Sequence, residues 1–215
     1  MPWIEQLRLT NWTRVGCIGL AAYALGCFTT GYYLVRWRTG QDVREVGSGS
    51  VGARNVGRLL GRQGFLATML CDFGKGMLAV WGARRFTTDD RLLALAMLGV
   101  VAGHLWPVQL RLRGGKGMAT SFGALLIFDW KLAVAFVLLF LGALAVMRKP
   151  VLPGLFALAC VPFASLLLER GVAEVVGCSI LAGMVLMAHR RNLGSEISLL
   201  LERRQANSKH DPPKL

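Results

Sequence analysis

Acidic residues are scarce in this chain: 12 Asp and Glu stand against 25 Lys and Arg, and charged residues of both signs make up only 17% of 215 positions. So little charge excludes a disordered or coiled-coil chain, and the absence of a glycine repeat excludes collagen. Histidine occurs three times, with no H-E-x-x-H pair and no acidic cluster at metal-ligand spacing, so nothing suggests a metal centre or another cofactor. The five cysteines (Cys17, Cys27, Cys71, Cys160, Cys178) never fall at C-x-x-C spacing and all sit inside apolar runs. They read as small buried hydrophobes, with neither a disulfide framework nor a zinc site. What is abundant is apolar: 54% hydrophobic residues and a mean hydropathy of +0.49. The bilayer is the expected solvent. The net charge of +13 is clustered between apolar runs instead of coating a surface, which argues against a nucleic-acid partner.

A hydrocarbon core of roughly 30 Å needs about 20 apolar residues in a helix. Seven segments approach that length, at 15–35, 65–83, 92–108, 118–128, 130–146, 151–168 and 172–188. The expectation is an all-α polytopic membrane protein with about seven transmembrane helices. The fourth segment is short, and Asp129 with Lys131 barely separates it from the fifth, so the two could form one bent element. Arg8 and Arg14 ahead of an apolar stretch ending at Cys27 resemble a lipoprotein signal, but the apolar run continues past the cysteine, which favours a retained first helix. Seventeen positive residues follow the odd-numbered segments and seven flank the others, with Lys75 inside the second. By the positive-inside rule the amino terminus is outside and the carboxyl terminus cytoplasmic. Residues 1–204 read as a single domain, and 205–215 as a solvated tail.

Three short motifs then share the cytoplasmic face. Residues 47–58 place three glycines and two hydroxyls (Ser48, Ser50) ahead of Arg54 and Arg58, a loop able to present backbone N–H groups beside positive charge. A flexible linker is the plainer alternative. Gly114, Gly115, Lys116 and Gly117 open an apolar helix, bringing amides, the positive end of a helix dipole and an ammonium within one turn. This is not a Walker P-loop, because Gly117 stands where the magnesium-binding hydroxyl belongs. His189 and Asn192, three apart at the end of the last segment, share a helical face and can hold one ligand together. His104 reads first as a packed structural histidine. Asp72 and Lys75, three apart inside the second segment, are costly alone at that depth and read as a structural ion pair, or else as substrate contacts. No Ser-His-Asp set is evident, and H-x-x-x-x-D fails because Gln109 occupies the acidic position. Any acyl transfer must rest on electrostatic binding and positioning.

The combination resembles the bacterial integral-membrane glycerol-3-phosphate acyltransferases of the PlsY type. Their patterns GSGNxGATNxxR, GHxxPVFxxFKGGKGxAT and HRxNI are similar to residues 47–58, 103–120 and 189–193 here. The resemblance implies transfer of an acyl group from acyl phosphate to the 1-hydroxyl of glycerol 3-phosphate, giving lysophosphatidic acid at the bacterial inner membrane. It implies catalytic roles for Ser48, Lys116, His189 and Asn192. Substrate phosphate would be held by Ser48, Arg58, Lys116 and the amides of Gly114, Gly115 and Gly117. It further implies no metal or cofactor, a substrate phosphate as base, and membrane lipid and a transiently bound acyl-phosphate-producing enzyme as partners. The chain departs from the pattern at Ser50, Arg54, Gln109, Val151 and Ser195. These changes leave open a different phosphorylated acceptor. A non-enzymatic transporter or lipid-binding protein is the competing class, with Asp72 and Lys75 marking a path.

Overall fold

The computed structural model describes residues 11–148 and 150–190. Asn192, Ser195 and the tail at 205–215 lie outside the described residues. Those described form eight α-helices, α1 (Trp12–Cys27), α2 (Thr30–Thr39), α3 (Ala53–Arg84), α4 (Asp90–Leu105), α5 (Met118–Phe128), α6 (Trp130–Met147), α7 (Val151–Leu167) and α8 (Val172–Ala188). Single 3-10 turns at Val43–Glu45 and Val108–Leu110 punctuate the two long connections. No strand occurs among the described residues.

All seven apolar segments are helical, but the first is broken and the second is preceded by further helix. The first breaks at Phe28 and Thr29, whose ψ values of 97° and 88° leave the helical range. A break there strands carbonyls that lipid cannot satisfy. Side chains from elsewhere supply the donors: Lys75 Nζ reaches Gly26 O at 3.1 Å and Phe28 O at 2.8 Å, and Gln109 Nε2 donates to Cys27 O. The fourth and fifth segments are two helices, because Asp129 is extended (φ −153°, ψ 106°) and its Oδ1 caps α6 by accepting from Lys131 N at 2.9 Å. The second is preceded by an unexpected helical stretch. The span Ala53–Arg84, labelled α3, is two helical stretches joined at Gly61, so the last part of the expected glycine-rich loop forms a short helical stretch of its own ahead of the apolar one. Gly61, at φ 67° and ψ −162°, bends α3 where only glycine adopts the backbone without strain.

The stretches Trp12–Thr39, Asp90–Leu110 and Trp130–Met147 are long and apolar enough to cross a membrane, while Met118–Phe128, Val151–Leu167 and Val172–Ala188 are apolar but shorter. A central core joins α4 to α8 through Val100, Val101, Leu125, Leu132, Leu158, Leu181 and Val185, all essentially inaccessible. A smaller cluster of Val35, Val43, Val51, Val56 and Leu110 lies beneath the Ser48 loop and gives it a floor. At the opposite end, Arg84 Nη2 donates to Phe128 O at 2.8 Å and Arg170 Nε lies 2.7 Å from Asp129 Oδ2. That cluster ties together the ends of α3, α5 and α7, leaving the Ser48 loop, the glycine turn and His189 at the other end of the bundle.

Candidate active site

The Ser48 loop is built around one side chain. Asn55, 2% exposed, accepts from Ser48 N at 3.0 Å through Oδ1. Its Nδ2 donates to Val43 O (2.9 Å), Val46 O (2.9 Å) and Ser50 O (3.0 Å). Gly49 N donates to Val46 O and Gly52 N to Ser50 Oγ, each at 3.2 Å. The expectation of a row of free N–H groups is therefore corrected here: those of Ser48, Gly49 and Gly52 hold the loop's own shape. Ser50, a departure from the family pattern, serves that shape with its hydroxyl. What the loop presents is side chains. Arg58 folds back so that a Cβ on Gly47 would lie 3.5 Å from its Nη1, which sets the guanidinium beside Ser48. Arg44 bonds Asp42 Oδ2 at 2.6 Å and Leu110 O at 2.8 Å, joining this loop to the connection that leads to Lys116. Asn55 was the residue that motif reading missed. Its signals were the second asparagine of the GSGNxGATNxxR pattern, to which no role had been given, and a poor helix former in the first turn behind a glycine-rich loop.

The glycine turn rests on a buried polar hub. Lys75 Nζ stands 3.0 Å from Asp72 Oδ1 and donates to His104 Nδ1 at 2.8 Å, while His104 Nδ1 is 3.5 Å from Asp72 Oδ1. All three residues are less than 5% exposed. The ion-pair reading of Asp72 and Lys75 and the structural reading of His104 describe this geometry. Gly115 lies directly on the His104 ring, with no room for a Cβ. Gly115 N donates to His104 O at 3.0 Å and Gly114 N to Leu105 O at 3.1 Å. Two of the amides expected to hold phosphate are thus already engaged, a second correction to the glycine-turn expectation. Gly117, at φ 81°, reverses the chain into α5 and packs where a Cβ would lie 3.2 Å from Leu105 and 3.5 Å from Val185. Val185 is one turn before His189, so the turn is recessed into the bundle below the end of α8.

Arg54, Arg58, Lys116 and His189 lie close enough at this recess to influence one another's charge. Burial, then Arg54 and Arg58 nearby, hold the Lys116 ammonium below its ordinary pKa. Burial first, and then Lys116 and Arg54, outweigh a stabilising bond to Val185 O and hold His189 below the ordinary 6.5. Three elements far apart in sequence therefore share one electrostatic neighbourhood: the start of α3, the glycine turn and the end of α8. His189 is 5% exposed, and its Nδ1–H donates to Val185 O at 2.9 Å. In the neutral ring that bond assigns the lone pair to Nε2. The sign for stability follows. Protonation favours the unfolded chain, so this contribution is complete above pH 6.5 and is lost as pH falls through the lower folded value. If Nε2 must accept a proton, the acid limb of a kcat–pH profile falls below 6.5 and disappears in His189→Gln.

Beside this centre, a groove of about 470 Å³ runs along Arg54, Gly57, Arg58, Gly61, Arg62, Phe65 and Leu66. The family model for glycerol-3-phosphate acyltransferase matches residues 16–198. The chain belongs to the glycerol-3-phosphate acyltransferase family. It is 44% identical over 187 residues to glycerol-3-phosphate acyltransferase 1 of Desulfitobacterium hafniense, covering 86% of this chain and 92% of the relative. It is 33% identical over 171 residues to glycerol-3-phosphate acyltransferase 1 of a Bacillus cereus strain, covering 80% and 92%. The fold is similar to the crystal structure of PlsY (YgiH), an integral membrane glycerol 3-phosphate acyltransferase, in its glycerol 3-phosphate form (TM-score 0.79, 28% identity, 86% and 92% covered). It is likewise similar to the lysophosphatidic acid form (TM-score 0.76, 26% identity, with the same coverage). As in those acyltransferases, the chain is an all-helical membrane protein. Arg54, where the family pattern has threonine, faces the shared centre.

Proposed function

We propose that this acyltransferase takes its acyl group from acyl phosphate and passes it to the 1-hydroxyl of glycerol 3-phosphate, at the cytoplasmic side of a bacterial inner membrane. The single observation that supports the reading best is the convergence of Arg58, Lys116 and His189 from three elements on one recess. Two phosphorylated substrates brought together repel each other, and closely spaced cations offset that repulsion. Ser48 and Asn192 position the acceptor, and Arg58 and Lys116 neutralise phosphate. The glycerol oxygen attacks the acyl carbonyl carbon, and the bond from that carbon to the phosphate oxygen breaks. The departing phosphate keeps the electron pair, and the hydroxyl proton passes through His189 Nε2 to it. The products are lysophosphatidic acid and inorganic phosphate. The acyl chain stays in apolar surroundings throughout, which is worth about 0.8 kcal/mol per CH₂ over water. An enzyme that makes acyl phosphate fits as a transient partner, because a mixed anhydride survives poorly in water.

The test is direct. Purified protein in vesicles is incubated with palmitoyl phosphate or palmitoyl-CoA and a panel of glycerol and sugar phosphates. Lysophosphatidic acid and inorganic phosphate should appear one for one, from palmitoyl phosphate and glycerol 3-phosphate only. Product from the thioester alone would overturn the donor, product on another acceptor alone would overturn the acceptor, and no phosphate release at all would favour a transporter.

A further inference from the structure

Arg54, Arg58 and Arg62 recur every four residues, which on an unbroken helix would stack three guanidiniums along one face. Helix α3 is not unbroken. The Gly61 bend falls between the second and third arginines and opens the surface there into the groove of about 470 Å³. The lining of this groove is of two kinds. Arg54, Arg58 and Arg62 make part of it cationic, and Arg54 adds positive field at Lys116 and His189. Phe65, packed back against Gly57 across the bend, and Leu66, which is 46% exposed, make the rest apolar. Beyond Leu66 the exposed apolar track continues one turn on at Leu70, 61% exposed, along the part of α3 that is apolar.

A small polar anion such as a sugar phosphate uses only the cationic part of such a lining. A phosphate esterified to a long hydrocarbon chain matches both parts, with its charge on the arginines and its tail along the apolar wall toward lipid. We propose that this groove receives the acyl donor, with Arg54 as a ligand of the donor's phosphate and Leu66 as a wall of its acyl chain. The assignment rests on the acyl-phosphate reading above. Arg54 then determines specificity: where the family pattern offers a neutral hydroxyl, this chain offers a guanidinium that grips phosphate through paired N–H groups. Arg54 and Leu66 both lie at the surface, and neither fills the core.

Steady-state kinetics of the full chain in lipid nanodiscs test it, with palmitoyl phosphate, butyryl phosphate and glycerol 3-phosphate each varied. Arg54→Thr should raise KM for both acyl phosphates by about tenfold, the loss expected for one charge-assisted hydrogen bond, with KM for glycerol 3-phosphate unchanged. Leu66→Trp should raise KM for palmitoyl phosphate and leave that for butyryl phosphate where it was, a split that general damage to the protein would not produce. An unchanged donor KM in both variants overturns the proposal, as does an Arg54→Thr effect confined to glycerol 3-phosphate. A wild-type protein that releases no phosphate from any acyl phosphate overturns the donor reading itself. An active wild type with unresponsive variants removes only the groove assignment.

Discussion

Lys116→Ala is expected to lower kcat for acyl transfer by about 10²–10³-fold, the scale seen when one preorganised donor is removed from developing negative charge. The reason lies in how the side chain is held. Gly114 and Gly115 are fastened to the carbonyls of Leu105 and His104, and Gly117 reverses into α5, so Lys116 is the one residue of the turn whose side chain reaches the shared recess. Arg54 and Arg58 press on its ammonium, and a bound phosphate offsets that repulsion. The substitution leaves the packed glycines and their hydrogen bonds untouched. Insertion, elution volume and thermal midpoint should therefore match the wild type, and turnover under saturating substrates is the measurement. Wild-type turnover in Lys116→Ala would remove the proposed centre.

The largest stability loss is expected from Lys75→Met, about 3–5 kcal/mol, the usual consequence of removing one partner from a buried charged pair. Nζ is shared among Asp72, His104, Gly26 O and Phe28 O, so its removal leaves a buried carboxylate and two carbonyls without their donor. Asp72→Asn should cost less, because Lys75 keeps both carbonyls and the imidazole. Chemical or thermal unfolding in detergent micelles gives the order. Asp72→Asn proving the more damaging of the two would show that the carboxylate, not the ammonium, is the centre of this hub.

How much of this was readable beforehand depended on the range of the interaction. Seven apolar segments were legible because hydropathy is local, and the limits of α5 and α8 coincide with the expected 118–128 and 172–188. The break after Cys27 was not, because what makes it tolerable is an ammonium 48 residues later and an amide from Gln109. Asp72 with Lys75 could be paired from an i,i+3 spacing, yet His104 as their third member required the fold. The glycine-rich stretches marked two irregular connections, although the first gives way to helix at Ala53. Their composition suggested free amides, but backbone donors in a protein interior find the nearest carbonyl, and Ser48, Gly49, Gly114 and Gly115 have done so. The Gly61 bend hid within what looked like loop followed by span, since helix propensity alone does not announce φ 67°.

With eleven residues, α5 extends only about 16 Å, half the hydrocarbon thickness, and the chain leading into it is irregular. Bare backbone of that kind has no stable place among lipid tails. During synthesis it must therefore wait until α3 and α4 have assembled a berth for it, while α6, which follows without a gap at Asp129, acts as its anchor. The glycine turn is in this sense the last piece of the early bundle to be installed, and lesions that loosen α3 against α4 should show up as failed biogenesis before they show up as slow turnover.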